Sequence, residues 1–159
     1  MDRIDQKILD LLQADATLPI AEIADRVGLS AAPCWRRIKK LEDLGVVRRR
    51  VALVDRRKVN VPMTLFVSVR TTRHAHDWVD AFRKLIADVP EIVEAWRLTG
   101  DVDYLLRIVV PDIDAYDDVY KRMIERVELA DVSSAIAMEE LKYTTAVPTT
   151  YIGRRSGEG

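Results

Sequence analysis

The 159-residue chain has one cysteine, two histidines and only six glycines and six prolines. It has no apolar run near the ~20 residues a membrane helix needs. A single thiol, Cys34, excludes an internal disulfide and a thiolate zinc cluster within one chain, so the fold must come from packing. The opening Met-Asp-Arg-Ile-Asp is too acidic and amphipathic for a secretory leader, which makes the cytoplasm the expected location, with no membrane partner. A phosphate-cradling glycine loop, a nucleophile elbow and a paired histidine–cysteine arrangement are all missing, so no catalytic residue, no cofactor and no enzyme activity is assigned. His74 and His76 have no carboxylate or thiolate cluster beside them, and no metal site is assigned either. What remains is globular: 48% hydrophobic and 32% charged residues suit one ordinary domain or two small ones.

The net charge of -1 conceals a polarised chain. Residues 1–60 carry thirteen basic and nine acidic groups, a net +4, whereas residues 61–159 carry twelve and seventeen, a net -5. Residues 30–58 alone hold ten basic groups against three acidic ones. A local +7 favours a polyanion, and nucleic acid is the leading partner.

The hydrophobic spacing explains how that charge is presented. Ile4, Ile8, Leu11 and Leu12 predict an amphipathic first helix. After a break over residues 15–18, Pro19 opens a short second helix with the stripe Ile20, Ile23, Ala24 and Val27, ending at Gly28. Ser30 is expected to cap a third helix over residues 31–44, with Pro33 tolerated in its first turn. On that helix Cys34, Ile38 and Leu41 share a packing side, which makes Cys34 an inert core thiol. Ala32, Arg36, Lys39, Lys40 and Asp43 lie on the opposite arc, with Trp35 and Arg37 at its margins. Three short helices with a glycine turn before the last form a helix-turn-helix pattern. The β-branched stretch Val46–Val54 is predicted to be a strand leading out. Residues 1–54 thus read as a DNA-binding domain and residues 55–62 as a hinge.

In this arrangement the third helix enters the major groove of double-stranded DNA, with Arg36 toward a guanine edge and Lys39 and Lys40 toward phosphates. Ser30, Ala32, Pro33, Trp35, Arg37, Arg48 and Arg49 complete the candidate DNA-binding set. Arg37 has an alternative role, packing its stem on the core and holding Glu42 or a phosphate.

Beyond the hinge the pattern changes. Strands are predicted at residues 64–69, 92–98, 104–110 and 132–141, and helices at about 75–87 and 113–127. The first helix carries Val79, Phe82 and Ile86; the second carries Ile113, Tyr116, Val119, Tyr120, Met123 and Val127. The order βαββαβ is the ferredoxin-like split unit, so the fold class is α+β. Both helices cover one sheet face, and the other requires another chain or a ligand, so an oligomer is expected. Trp96 and Tyr104 suit either sheet packing or a site, and Asp101 and Asp103 suit a tight turn. Residues 63–147 form this second domain and residues 148–159 a C-terminal tail, whose last residues, Arg154–Gly159, read as frayed.

The residues Asp2-Arg3-Ile4-Asp5, Ile8-Leu9, Arg26-Val27-Gly28-Leu29-Ser30, Pro33-Cys34, Arg37 and Leu41-Glu42 resemble the N-terminal domain of the Lrp/AsnC, or feast/famine, family. In the second half, residues 100–106, Val110-Pro111-Asp112, Ala115-Tyr116 and residues 138–142 are similar to that family's amino-acid-sensing domain. Residues 33–37, 96–98, 104–107 and 142–145 look like its cysteine-responsive, DecR-type branch. The resemblance implies a winged helix-turn-helix domain followed by a RAM, or ACT-like, domain. It also implies a homodimer built through facing sheets, with an octamer or other higher assembly, and a nucleoid-associated regulator on a pseudo-palindromic operator. An amino-acid effector, L-cysteine for this branch, would bind around Trp96, Leu98, Thr99, Gly100, Asp101, Asp103 and Tyr104. Ala135, Ile136 and Ala137 would line the same space. A glycine turn offers amide donors to a carboxylate, and Asp101 or Asp103 offers an anion to the ammonium. Arg97 departs from the apolar residue of the leucine-responsive member and argues against leucine. The rival reading is an architectural DNA-binding protein that ignores metabolites.

Overall fold

The computed structural model describes residues 1–71 and 75–153, so His74 and tail residues 154–159 lie outside the described residues. The chain divides into two compact units, one made of residues 1–52 with residues 142–153 and the other, among the described residues, of residues 53–141.

The first unit contains α1 (Arg3–Ala14), α2 (Ile20–Val27) and α3 (Ala31–Asp43). Asp2 starts α1 with a capping box: its carboxylate accepts from the Ile4 and Asp5 amides while the Asp5 side chain accepts from the Asp2 amide. Pro19 occupies the position just before α2 rather than its first turn, and Gly28 closes α2 at φ +75°, a conformation glycine takes without penalty. Ile8, Leu9, Leu12, Ile23, Ala24, Val27, Cys34, Ile38 and Leu41 form one buried cluster. Cys34 is fully buried, and desolvation pushes its thiol pKa up, as a core thiol requires.

One expectation for this unit is corrected. Val46–Val54 forms no strand, because among the described residues nothing pairs with it; β-branching favours extension, but a ladder needs a second strand. The end expected to be frayed, residues 154–159, lies outside the described residues, but the tail before it packs on this unit. The Gln13 amide donates to the Val147 carbonyl at 3.1 Å and accepts from the Val147 amide at 2.7 Å. Thr149 is buried and its hydroxyl donates to Asp10 at 2.6 Å, while Ile152 packs on the helical core. The DNA-binding unit is therefore built from both ends of the chain.

The second unit runs β1 (Met63–Arg70), α4 (His76–Asp88), β2 (Ile92–Arg97), β3 (Tyr104–Val110), α5 (Ile113–Arg126) and β4 (Asp131–Ile136). The sheet order is β2-β3-β1-β4 with every pair antiparallel. Alternation along β1 and β3 buries Leu65, Val67, Val69, Tyr104, Leu106, Ile108 and Val110 against the two helices. The helices turn slightly from the predicted stripes: α4 buries Trp78, Phe82 and Leu85, and α5 buries Tyr116, Val119 and Met123, leaving Ile113 exposed. Tyr104 stacks among Phe82 and Trp78, with ring centroids 4.7 and 5.7 Å away. β4 stops five residues before its predicted end. Its partner β1 starts at Met63 after Pro62, which has no amide to extend the ladder, and the last bond is from the Ala137 amide to the Thr64 carbonyl.

Candidate DNA interface and effector site

The packing of α3 decides which of its cations are available. Cys34, Ile38 and Leu41 are buried, so Ala32, Trp35, Arg36, Lys39 and Lys40 are exposed on the far side and Pro33 is half-buried. Arg36 and Lys40 make no ion pair among the described residues, and neither do the exposed Arg48 and Arg49 that follow. Lys39 pairs with Asp43 at 2.9 Å on the same face, which holds its ammonium pKa above the ordinary value. Ser30 stands at the N-cap position of α3, but its hydroxyl makes no cap hydrogen bond and is exposed.

Arg37 behaves differently from its neighbours. Its guanidinium donates to Asp2 at 2.8 Å and Asp5 at 2.7 Å, so it ties α3 to the start of α1. Glu42, the alternative partner in the sequence, is held by Arg50 at 3.1 Å. Arg37 is a structural clamp whose charge is already neutralised. The Asp5 amide and the Arg37 guanidinium hold the Asp2 carboxyl below its ordinary pKa of 3.8. A carboxylate depressed on folding stabilises the folded state above its unfolded pKa, and that stabilisation is lost as pH falls through the lower folded value. Arg37→Ala should therefore lower the melting temperature of the helical unit at pH 7, and the gap from the parent should narrow as pH drops below 3.8. Thermal unfolding followed by circular dichroism at pH 7 and pH 3 reads both; an unchanged gap would remove the clamp.

In the second unit the predicted effector residues separate into two groups. Leu98, Thr99, Gly100, Asp101 and Asp103 form the turn between β2 and β3, with Gly100 at φ +106°. The turn is braced: the Leu98 amide donates to the Asp103 carbonyl at 2.8 Å, and the Asp103 carboxylate accepts from the Thr71 amide at 2.8 Å. Asp103 is thus committed to the fold, whereas Asp101 is exposed and makes no hydrogen bond among the described residues. Trp96 is exposed beside the turn, and Tyr104 is a core ring.

Ala135, Ile136 and Ala137 do not join this group within one chain. The turn lies at the end of the sheet where Val69 pairs with Tyr104 and Val132, whereas Ile136 pairs with Leu65 at the opposite end of an opposite edge strand. In a single protomer the two halves of the expected site are two strands and four residue levels apart. On the sheet face away from the helices, Phe66 and Trp96 are 42% and 59% exposed, which is high for large apolar rings in a finished core. Arg107 and Glu94 pair across that face at 2.6 Å, and the guanidinium lowers the Glu94 carboxyl pKa.

A packed three-helix reader with a bare cationic face, carried with a ferredoxin-like α+β module, defines a helix-turn-helix DNA-binding regulator. Comparison with known proteins agrees. Residues 1–48 match the winged helix-turn-helix DNA-binding family model and residues 64–147 the Lrp/AsnC ligand binding domain. The chain is 48% identical over 148 residues to the glutamate uptake regulatory protein of Zymomonas mobilis, covering 93% of this chain and 90% of that one. It is 43% identical over 149 residues to the DNA-binding transcriptional activator DecR of Escherichia coli, covering 93% and 98%. Among solved structures, an AsnC family transcriptional regulator from Agrobacterium tumefaciens superposes with a TM-score of 0.92 at 58% identity, covering 96% and 99% of the two chains. A Neisseria meningitidis transcriptional regulator in complex with L-Met superposes with a TM-score of 0.90 at 35% identity, covering 95% and 98%. The chain belongs to the Lrp/AsnC family of transcription regulators, and the α+β, winged helix-turn-helix plus ferredoxin-like reading stands.

Proposed function

We propose that the protein is a cytoplasmic, nucleoid-associated regulator of amino-acid metabolism whose DNA binding responds to a small amino acid. The observation that carries this reading is the unpaired cationic set Arg36, Lys40, Arg48 and Arg49, on and just after a helix whose other side is wholly buried. Arg36 reads a guanine edge, and Lys40, Arg48, Arg49 and the Ser30 hydroxyl contact phosphates. Lys39 gives up Asp43 for a phosphate, while Ala32, Pro33 and Trp35 set the close approach of α3 to the groove. The open sheet faces of two copies cover each other, Phe66 and Trp96 included, and the resulting dimer holds two half-sites of a pseudo-palindromic operator. Further association gives an octamer or another higher assembly.

The effector binds at the residue 98–103 turn, with its carboxylate on turn amides and its ammonium on Asp101, and Ala135–Ala137 of another copy close the pocket. A site shared between copies makes ligand binding favour one assembly over another, which is what regulation requires. L-Cysteine is the first candidate, supported by likeness to the DecR-type branch. The names of two relatives, which mention glutamate uptake and an L-Met complex, supply the next two.

Calorimetric titration with L-cysteine, L-glutamate, L-methionine, leucine, alanine and asparagine tests the effector. One amino acid should bind, and Asp101→Ala should weaken it by about 1.5–3 kcal/mol, roughly 10- to 150-fold, because a charged hydrogen bond is lost. DNA binding with no amino-acid binding at all would leave the architectural reading instead.

A further inference from the structure

A cavity of about 300 Å³ opens between α4 and the edge strand β2, at the lower limit of size for small-molecule sites. Its origin is a small side chain at an edge. Ala95 pairs with Leu106 and Arg97 with Tyr104, so both β2 residues point to the helix-covered side of the sheet. Ala95 is too short to reach α4, and the space it leaves is walled by Val79, Phe82, Ile86, Trp96 and the Tyr104 ring.

The charges on this cavity all have one sign. Arg83 and Arg97 line it and no carboxylate does. Arg97 has no ion pair among the described residues, and Arg83 has only Asp80 at 3.7 Å, with both side chains about three-quarters exposed. Such an exposed pair holds its cation weakly. An apolar wall with two guanidinium groups, one free of ion pairs among the described residues and one held only loosely by the exposed Asp80, fits a carboxylate on an apolar body. An amino-acid zwitterion would place its ammonium among the same cations with no carboxylate in the cavity lining to receive it.

We propose that the α4–β2 cavity binds a small apolar monocarboxylate lacking an ammonium group, the class that includes 2-oxo acids. It is a second ligand site, sharing Trp96 and Tyr104 with the expected effector set but built on Arg97 and Arg83 rather than on the residue 98–103 turn and Asp101, and it does not depend on that reading. Arg97 is the main anion ligand and Arg83 assists. In a regulator of amino-acid metabolism, such a site would report the deaminated form of an amino acid beside the amino acid itself.

Three compounds with the same isobutyl body isolate the chemistry: 4-methyl-2-oxopentanoate, 4-methylpentanoate and L-leucine. Each is titrated calorimetrically into the full-length protein, into Arg97→Ala and into Ala95→Leu, which fills the cavity without touching charge. Both carboxylates should bind the parent protein, and each variant should weaken them at least tenfold. An oxo acid that binds much more tightly than 4-methylpentanoate narrows the class to 2-oxo acids, and equal binding widens it to simple carboxylates; both support the cavity. Leucine bound through the turn would be weakened by Asp101→Ala and left intact by Arg97→Ala, which keeps the two sites distinguishable. The proposal fails if neither carboxylate binds at millimolar concentration, or if their binding survives both variants. It also fails if leucine binds as tightly as the oxo acid and is lost in Arg97→Ala.

Discussion

Arg36→Ala is expected to weaken specific operator binding by about 1–3 kcal/mol per half-site, and so by about 2–6 kcal/mol for a dimer on two half-sites. The loss should be concentrated at one base position. A guanidinium that bonds a guanine edge in two places gives up its preference for that base, so selection from randomised operators should relax at a single position in each half-site. Lys40→Ala should behave differently: it weakens all sequences alike and lowers the slope of log K against log salt by about one for each half-site. If the parent complex makes about 6–10 phosphate contacts, its affinity should fall by about 10³–10⁵ between 50 and 200 mM salt. Fluorescence anisotropy over that range separates the two roles. A salt response that is flat, or unchanged in Lys40→Ala, would take α3 out of the groove. Arg37→Ala is the internal contrast, because Asp2 and Asp5 already neutralise that guanidinium and its loss should act on stability rather than on the salt slope.

That contrast marks the limit of what the sequence discloses. The arc of Arg36, Lys39 and Lys40 follows from a 100° turn per residue, a local rule, and the buried Cys34, Ile38 and Leu41 bear it out. Arg37 sits at the margin of the same arc, where periodicity does not decide, and its partners lie more than thirty positions away at the start of α1. The β2–β3 hairpin was equally legible, since a glycine turn between two β-branched runs is a local signal. The length of β4 was not, because it is fixed by where β1 begins, at Met63 just after Pro62. Val46–Val54 shows the same limit from the other side: its composition favours an extended chain, but pairing is a property of two segments. For the effector site, the resemblance grouped Ala135–Ala137 with the turn, and only the strand order reveals that one chain cannot bring them together.

Deleting the residues from Val147 onward is expected to destabilise the helical unit by about 3–5 kcal/mol. Two ordinary hydrogen bonds on Gln13 contribute about 1 kcal/mol each, the Thr149–Asp10 bond to a charged acceptor about 1.5, and the partly buried Ile152 about 1. For three short helices with a core of nine buried residues, a loss of that size approaches the whole stability of a small domain. DNA affinity should therefore fall although every candidate DNA contact is still present. The cause would be visible in amide hydrogen exchange, with protection lost across α1 while the amides of β1 and β3 keep theirs. Gln13→Ala should show the same pattern at smaller amplitude, because it removes both bonds to Val147 and leaves Thr149 and Ile152 in place. A truncated protein with undiminished α1 protection would mean that the returning segment merely rests on the helix. With protection lost, the DNA reader depends on a segment that follows β4 directly in the chain. Residues 137 to 146 are the covalent link from the end of β4 to that segment.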